Sequence, residues 1–503
     1  MMKQLVLPLA AALAFSSFVT AQTMPVEQAG AGPATAPAGI PGVAERPAQE
    51  TSAVSLVDKA KPSLVVVQFT YAGEMGRRDL AGTGVVVRAD GLTIINGDLT
   101  PRQLPDEQMK DFKIILPGDD ETEIDATFLG RDERYGIAYV KPAKAGASQT
   151  FVPLTFVERA VAVGETVHTV GLLPKVAGYG AYQMSARVAA LLRGPTPQVL
   201  VDGAGLGIIG SPVLNAGGEA IGLVGSQPDR IFLTPTGPAA TGGRTVMLND
   251  PRNPYGPVEE PTRMFVPARD FLSAIEKAPS EPTQIRYPFL GVTQLTGLSK
   301  DVAEFYGLGN IVAVQIGDVI PDFSAAKAGL KRGMIITALN GQPLERGDLP
   351  EESPMIFTRQ VSRLNVGDTV KLSVITQRGQ PAGEVAVTLD ERPAQANRAK
   401  RFTAEDLGFT LRDVVFDDTY GRKLPRDTQG AVVAFIRPQS AAQAAELGNG
   451  DFITQVNQTP VTGVDQFQVA YEEFRKARPR EAVVLEALRG GNTQIIRIEP
   501  PRE

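Results

Sequence analysis

Short apolar runs separated by turn residues dominate the chain from about residue 52 to residue 280. Most runs hold four to eight residues rich in Val, Ile, Leu and Thr, and Gly, Pro or Asp closes them. Examples are SLVVVQFTY (63–71), GTGVVVRADGLTIIN (82–96), ETVHTVGLL (165–173) and QVLVDG (198–203). This rhythm predicts a mainly β fold of sandwiches or barrels rather than a parallel α/β sheet. A helical pattern, VPARDFLSAIEKA (266–278), closes the region and a linker with prolines follows it.

The rest of the chain contains an internal repeat. Leu290-Gly291 recurs as Leu407-Gly408 at an offset of 117 residues, and Asn340 recurs as Asn457 at the same offset. A single conserved offset predicts two copies of a domain of about 100 residues. In the second copy, VDQFQVAYEEFRKA (464–477) predicts a helix whose apolar residues, Phe467 and Phe474 among them, are explained first by core packing.

The first residues predict export. Residues 1–21 combine one Lys, an apolar run and small residues before Gln22, which is typical of a cleavable signal peptide. The alternative, a retained membrane anchor, is disfavoured because the run is short and Pro8 interrupts it. Residues 22–51 are rich in Ala, Pro and Gly and predict a disordered tether. We therefore expect a soluble protein of the periplasm or cell envelope.

The composition of the chain excludes several kinds of functional site. The chain has no Cys and one His, so disulfides, a thiol nucleophile and Cys/His zinc sites are excluded. The net charge of −6 is spread without a basic run, which gives a nucleic-acid role no support. The acidic run DDETE (119–123) fits a solvated turn better than a cation site. We expect neither a cofactor nor a metal.

Both repeats resemble PDZ domains of the bacterial, circularly permuted kind. The marks are an L-G-[FV] loop, a helix of small residues and a strand that leads to Asn. One departure is Met334, where the family usually has Asp. In PDZ domains, loop N–H groups hold a terminal carboxylate and the following strand offers an open edge to a peptide. The resemblance thus implies peptide-binding residues in both copies: Phe289, Leu290, Gly291, Val292, Leu407, Gly408, Phe409 and Thr410.

Most of the mature chain, about 52–503, resembles the HtrA family of periplasmic serine proteases and chaperones. The resemblance rests on motifs in the family's order: 82–96, 115–141, 161–174, GIIGSPVLNAGGEAIGL (207–223) and FVPARDFL (265–272). It implies a chymotrypsin/trypsin-like double β-barrel at 52–280, then α+β PDZ domains at 284–396 and 401–503. A Pro- and Gly-rich insertion at 226–263 departs from the family and is either a cover for the old site, a docking element or a disordered loop.

The catalytic triad expected from this resemblance is missing. Asp98 stands at the position of the family's His, Gly136 at that of its Asp, and Ile209 at that of its nucleophilic Ser. A triad needs a hydroxyl, an imidazole that takes its proton and a carboxylate that orients the imidazole. The single imidazole, His168, lies in an alternating stretch that predicts a strand on a barrel surface. A different alignment register would bring in Ser211 but no base, and no Ser–Lys motif accompanies it.

Three functions from different classes follow. The first is a non-catalytic adaptor that holds carboxyl-terminal tails or unfolded exported chains in its PDZ grooves. The second is a holdase-type chaperone, and the resemblance permits a homo-trimer or larger assembly. The third is an active HtrA-type endopeptidase that uses unconventional residues.

Gly207 and Gly210 still bracket the predicted nucleophile loop. We therefore expect the cleft either to be plugged by Ile208 and Ile209 or to bind apolar peptide without cleaving it.

Overall fold

The computed structural model describes residues 55–101, 104–118, 122–144, 150–194, 197–225, 263–347 and 349–501. The predicted signal peptide and tether, part of the DDETE run and all but the last residue of the 226–263 insertion lie outside the described residues. These described residues belong to one compact unit.

The first six strands form a closed barrel in the order β1-β2-β3-β6-β5-β4. Its interior is apolar, with side chains such as Val67, Phe69 and Ile114 fully buried. A short helix, α1 (Leu56–Ala60), and a 3₁₀ turn at 61–63 precede it. The strands are β1 (Leu64–Gly73), β2 (Gly76–Val86), β3 (Thr93–Asn96), β4 (Met109–Leu116), β5 (Thr122–Asp132) and β6 (Ile137–Pro142).

The next six strands form a second closed barrel in the order β10-β11-β12-β9-β8-β7. Between the barrels lies a shared core that includes Val66, Leu172 and Phe271. The strands are β7 (Thr166–Leu172), β8 (Ala181–Leu192), β9 (Gln198–Val201), β10 (Pro212–Leu214), β11 (Ala220–Val224) and β12 (Met264–Pro267). The predicted double β-barrel is confirmed.

The helix predicted at 266–278 is shorter than expected. Residues 264–267 instead form β12, which pairs with both β9 and β11 and so closes the second barrel. A 3₁₀ turn at 268–270 follows, and α2 spans only Leu272–Glu276. The ladder hydrogen bonds of a closing strand outweigh the helical pattern of these residues.

The first repeat (residues 284–396) packs a small helix-capped sheet around Leu290, Val314 and Phe357. Its elements run as three strands, a helix, two strands, a helix, two strands, a helix, a hairpin and a last short strand. The elements are β13 (Pro288–Phe289), β14 (Val292–Thr293), β15 (Thr296–Gly297), α3 (Lys300–Phe305), β16 (Val314–Gln315), β17 (Asp318–Val319), α4 (Ser324–Lys327), β18 (Ile335–Leu339), β19 (Gln342–Pro343), α5 (Ser353–Ser362), β20 (Thr369–Ile375), β21 (Gly383–Thr388) and β22 (Asp390–Glu391).

The second repeat (residues 401–503) follows nearly the same order around Phe409, Phe467 and Leu485. The predicted helix at 464–477 is present with those bounds, and Phe467 is fully buried. The elements are β23 (Arg401–Ala404), β24 (Phe409–Asp413), α6 (Phe416–Gly421), β25 (Ala431–Ile436), α7 (Ala441–Ala444), β26 (Phe452–Val456), β27 (Thr459–Pro460), α8 (Val464–Ala477), β28 (Val483–Arg489) and β29 (Asn492–Ile498).

The offset of 117 residues recurs in the hydrogen bonds. Leu290 O accepts from Ala325 N–H at 2.8 Å, and Leu407 O accepts from Ala442 N–H at 3.0 Å. Met334 makes a contact equivalent to that of Asp451 in the second repeat. The Met334 sulfur lies 3.3 Å from Lys331 N, and the Asp451 carboxylate accepts from Gly448 N–H at 2.8 Å.

Candidate functional site

The segment that carries Asp98 lies where the two barrels meet. Asn96 ends β3, its side-chain oxygen accepts from Asp98 N–H at 2.8 Å, and its Nδ2 faces Val224 O of the second barrel at 3.5 Å. Gly97 N–H donates to Gly136 O at 2.7 Å. The loops of Asp98 and Gly136, two of the three predicted triad positions, are therefore in direct contact.

The turn before Gly136 is held by a buried ion pair. Asp132 is 2% exposed and accepts from Arg134 Nε at 2.8 Å and Nη2 at 2.6 Å. Burial alone would lower the pKa of Arg134, but the hydrogen bonds with Asp132 raise it. Gly136 then adopts φ 62°, a left-handed conformation that glycine takes without strain. Gly136, the predicted position of the orienting carboxylate, thus contributes only backbone.

The loop that carries Ile209 closes onto the first barrel. Gly210 has φ 87°, and a Cβ added to it would lie 3.1 Å from Thr83 O and 3.5 Å from Asn96 Cβ. Ile209 therefore sits beside the segment of Asp98, and its side chain is half-buried. The structure brings the three predicted positions together at the barrel junction.

The N–H groups of this loop are largely satisfied inside the protein. Ile208 N–H donates to Tyr182 Oη at 2.7 Å, Gly210 N–H to Val224 O at 2.9 Å, and Ser211 N–H to Ile208 O at 3.2 Å. An oxyanion hole requires donors aimed at the position of the developing charge, and these three N–H groups are directed to partners inside the protein.

Tyr182 was not anticipated from the sequence, since nothing in its local pattern indicates that its hydroxyl reaches this loop.

Ser211, the other hydroxyl considered at this loop, is buried. Its residue exposure is 0%, and its Oγ lies 3.4 Å from Tyr182 Oη. A Cβ added to Gly171 would lie 2.6 Å from the same Oγ, so the hydroxyl is sealed beneath β7. A buried hydroxyl without an adjacent base is not an activated nucleophile.

His168 lies on β7, as predicted, but it has a serine neighbour that the sequence did not reveal. Its Nδ1 is 2.7 Å from Ser185 Oγ, because the two residues face each other in the β7–β8 ladder. Seventeen residues separate them in sequence, so only the strand register identifies the pair. Val167 packs in the barrel core, which places His168 on the outer wall by alternation. Within the described residues, no carboxylate is hydrogen-bonded to the ring.

The two L-G-[FV] loops share one backbone geometry. Gly291 has φ 81° and Gly408 has φ 77°. A Cβ added to Gly291 would lie 2.4 Å from the Cβ of Phe323, and one added to Gly408 would lie 2.4 Å from the Cβ of Ser440. Glycine is therefore needed at both positions for the close approach of the chain itself as well as for a left-handed turn.

The strands that follow these loops have different neighbours. In the first repeat, β14 pairs with β17 and β15 with β16, and no described strand pairs with their other edge. In the second repeat, β24 lies between β25 and β23. The predicted binding residues Phe289 to Val292 thus border an unpaired edge, whereas Leu407 to Thr410 border an edge that β23 covers.

Among the described residues, no group of His, Asp and Glu side chains is arranged to hold a metal ion. In the same part of the chain, no helix is both long enough and apolar enough to cross a bilayer.

Comparisons with known proteins agree with this architecture. The trypsin-like peptidase domain family matches residues 82–223, and the PDZ domain family matches residues 396–473. The periplasmic pH-dependent serine endoprotease DegQ of Escherichia coli is 25% identical over 484 residues, which cover 91% of this chain and 93% of that protein. A probable periplasmic DegP-like serine endoprotease of Brucella suis is 26% identical over 414 residues, 80% of this chain and 70% of that protein.

A solved structure, the HtrA-type protease AlgW with tripeptide, is 20% identical, covers 68% of this chain and 97% of that one, and gives a TM-score of 0.48. The relatives are named as periplasmic, which supports the predicted exported, periplasmic location. The chain thus combines a trypsin-like peptidase domain with a carboxyl-terminal PDZ domain and is related to the HtrA/DegP-type periplasmic serine endoproteases.

Proposed function

We propose that the protein is a periplasmic pseudoprotease that binds peptides or unfolded exported proteins through its PDZ-type repeats and does not cleave them. One observation carries the proposal: the only imidazole of the chain hydrogen-bonds to Ser185 on a barrel wall, away from Ile209, the predicted nucleophile position. Peptide hydrolysis by this fold needs hydroxyl, base and orienting acid in one place.

The chemistry at the barrel junction supports binding rather than cleavage. Ile209 has no atom that can attack a carbonyl, and Gly136 has no side chain to orient a base. Asp98 is an exposed carboxylate beside them, but a carboxylate without a nucleophile cannot start acyl transfer. The half-buried Ile208 and Ile209 make this part of the cleft apolar.

The first repeat supplies the peptide-binding edge in this proposal. No described strand pairs with β14 on the side opposite β17, which leaves an edge to which a peptide strand can add. No described residue accepts from the N–H groups of Leu290 and Gly291. These donors fit a terminal carboxylate, and the 284–396 domain is therefore proposed as a second PDZ domain that the family comparison does not match.

The rival hypothesis is an active endopeptidase, and the His168–Ser185 contact is the observation that favours it. Any imidazole-dependent cleavage must pass through this pair because the chain has no other His. The outer wall of a barrel offers no carboxylate to the ring among the described contacts, so we favour the pseudoprotease.

The decisive experiment measures cleavage of casein by the purified full chain beside Ser185→Ala and Ser211→Ala variants. We expect no hydrolysis above buffer in any of the three. Hydrolysis that is lost in Ser185→Ala would establish the rival mechanism. Hydrolysis that persists in both variants would contradict the pseudoprotease proposal. Suppression of aggregation of unrelated unfolded proteins, measured in parallel, separates a chaperone role from an adaptor role.

A further inference from the structure

Strand β23 lies where a peptide ligand of the second repeat would bind. It runs antiparallel to β24, with Ala404 opposite Phe409 and Arg401 opposite Arg412, so its carboxyl end points at the L-G-F loop. A peptide that adds to this edge with its carboxyl terminus at the loop has the same direction. Helix α8 forms the other wall and contacts both β23 and β24.

The carbonyl of Ala404 occupies the place of a terminal carboxylate. It accepts from Gly408 N–H at 2.8 Å and from Leu407 N–H at 3.2 Å. The Ala404 side chain is 1% exposed and belongs to the core of the repeat, as the last side chain of a captured peptide would. The loop donors that would recognise a ligand are therefore already satisfied by the chain.

Phe402 occupies the position of a second anchoring side chain. Its ring centre lies 5.9 Å from that of Phe467 and 5.6 Å from that of Tyr471, both on α8. Such ring pairs add stabilisation beyond that of burial. Thr403 faces the other way, with its Oγ1 3.0 Å from that of Thr410.

Flanking contacts hold the strand in place. Arg401 pairs with Glu74 of the first barrel at 3.3 Å, and the two side chains are only 17% and 13% exposed. Asp406, in the loop between β23 and β24, accepts from Arg475 of α8 at 2.9 Å. The two ends of β23 are thus fixed to different parts of the molecule.

We infer that residues 401–404 are a built-in ligand of the second repeat, which closes this groove to carboxyl-terminal peptides until β23 is displaced. The inference rests on the proposed function for the idea that such a groove binds peptide. A four-residue loop tethers β23, so it competes at an effective concentration near the millimolar range. Peptide binding is therefore confined to the first repeat in the closed state.

Two variants of the full chain test the inference. Phe402→Ser removes the anchor on α8 and opens the groove. Adding Thr403→Cys and Thr410→Cys to it places two thiols on directly opposed strand positions, about 4.5–5.5 Å apart at Cα, which a disulfide spans. Oxidation then locks β23 in place, and the chain has no other Cys to interfere.

The probe is a labelled peptide Ala-Lys-Arg-Phe-Thr-Ala with a free carboxyl terminus, and calorimetry gives the number bound per chain. We expect one for the native protein, two for Phe402→Ser, one for the oxidised lock and two again after reduction. Affinity of the opened site for the probe should exceed that of the native second repeat at least about tenfold.

Other outcomes separate the two proposals. None bound by the native protein but one bound by Phe402→Ser upholds the built-in ligand and removes the first repeat as the binding domain. Two peptides bound by the native protein, equal numbers for native and opened forms, or a cysteine pair that does not oxidise would overturn the inference.

Discussion

The two repeats share loop geometry but differ in what lies against the strand after the loop. In the first repeat, the segment before the loop, β13, pairs with β22 at the end of the repeat, and the β14–β15 edge stays unpaired among the described residues. In the second repeat, the segment before the loop folds back as β23 and covers β24. The same motif therefore predicts a backbone conformation but not whether the groove beside it is available.

The largest effect is expected from breaking the mostly buried Arg401–Glu74 pair. Glu74→Gln leaves the Arg401 charge without its partner, and we expect the free energy of unfolding to fall by about 3 kcal/mol. Urea unfolding measures this loss, and hydrogen exchange should rise in the peptide that contains β23.

The matched control removes the charge of Lys400, the residue directly before β23. Lys400 pairs with Asp465, but both side chains are more than half exposed, so Lys400→Gln should leave the free energy of unfolding almost unchanged. Equal losses in the two variants would contradict the claim that the first barrel anchors β23.

The next effect compares the two loop glycines directly. Gly291→Ala and Gly408→Ala introduce the same clash, with a Cβ 2.4 Å from the following segment and φ near 80°. We expect Gly291→Ala to weaken binding of a carboxyl-terminal peptide about tenfold or more, because it distorts the available loop. Gly408→Ala should change the affinity less than twofold.

Fluorescence anisotropy with a labelled peptide measures both affinities, and thermal unfolding confirms that each variant folds. Weaker binding in Gly408→Ala with native affinity in Gly291→Ala would reverse the assignment of the open groove.

The smallest expected effect is on the pH dependence of Tm, and it depends on Asp418 in α6. Burial alone would raise the pKa of Asp418, but hydrogen bonds from Arg412 and the backbone of Val415 lower it below its ordinary 3.8. A carboxyl whose pKa is lowered on folding stabilises the protein above its unfolded pKa, and this stabilisation is lost as the pH falls through the folded pKa. We therefore expect Tm to fall below about pH 4 and Asp418→Asn to reduce that fall.

Asp301 is the matched control, since it occupies the same offset in α3 of the first repeat and is exposed. Asp301→Asn should leave the acid dependence of Tm unchanged. Identical pH profiles for the two variants would show that the Arg412 contact does not distinguish the repeats.

Sequence patterns were sufficient for the barrels and the repeat, because both rest on order and spacing along the chain. The assignment of Asp98, Gly136 and Ile209 to the triad positions stays a prediction. They were insufficient for the pairing of β23, since a four-residue strand with alternating side chains fits several neighbours and only tertiary packing selects one. The His168–Ser185 contact was missed for a related reason: it depends on the register of two strands. The late start of α2 reflects the ladder bonds of β12, which no local pattern contains.

The Arg401–Glu74 contact joins positions 327 residues apart and has a practical consequence for anyone who cuts the protein into pieces. A fragment that begins after the first repeat would lack Glu74 and hold its leading strand less firmly. Binding constants measured on such a fragment would describe a groove that the intact molecule keeps shut.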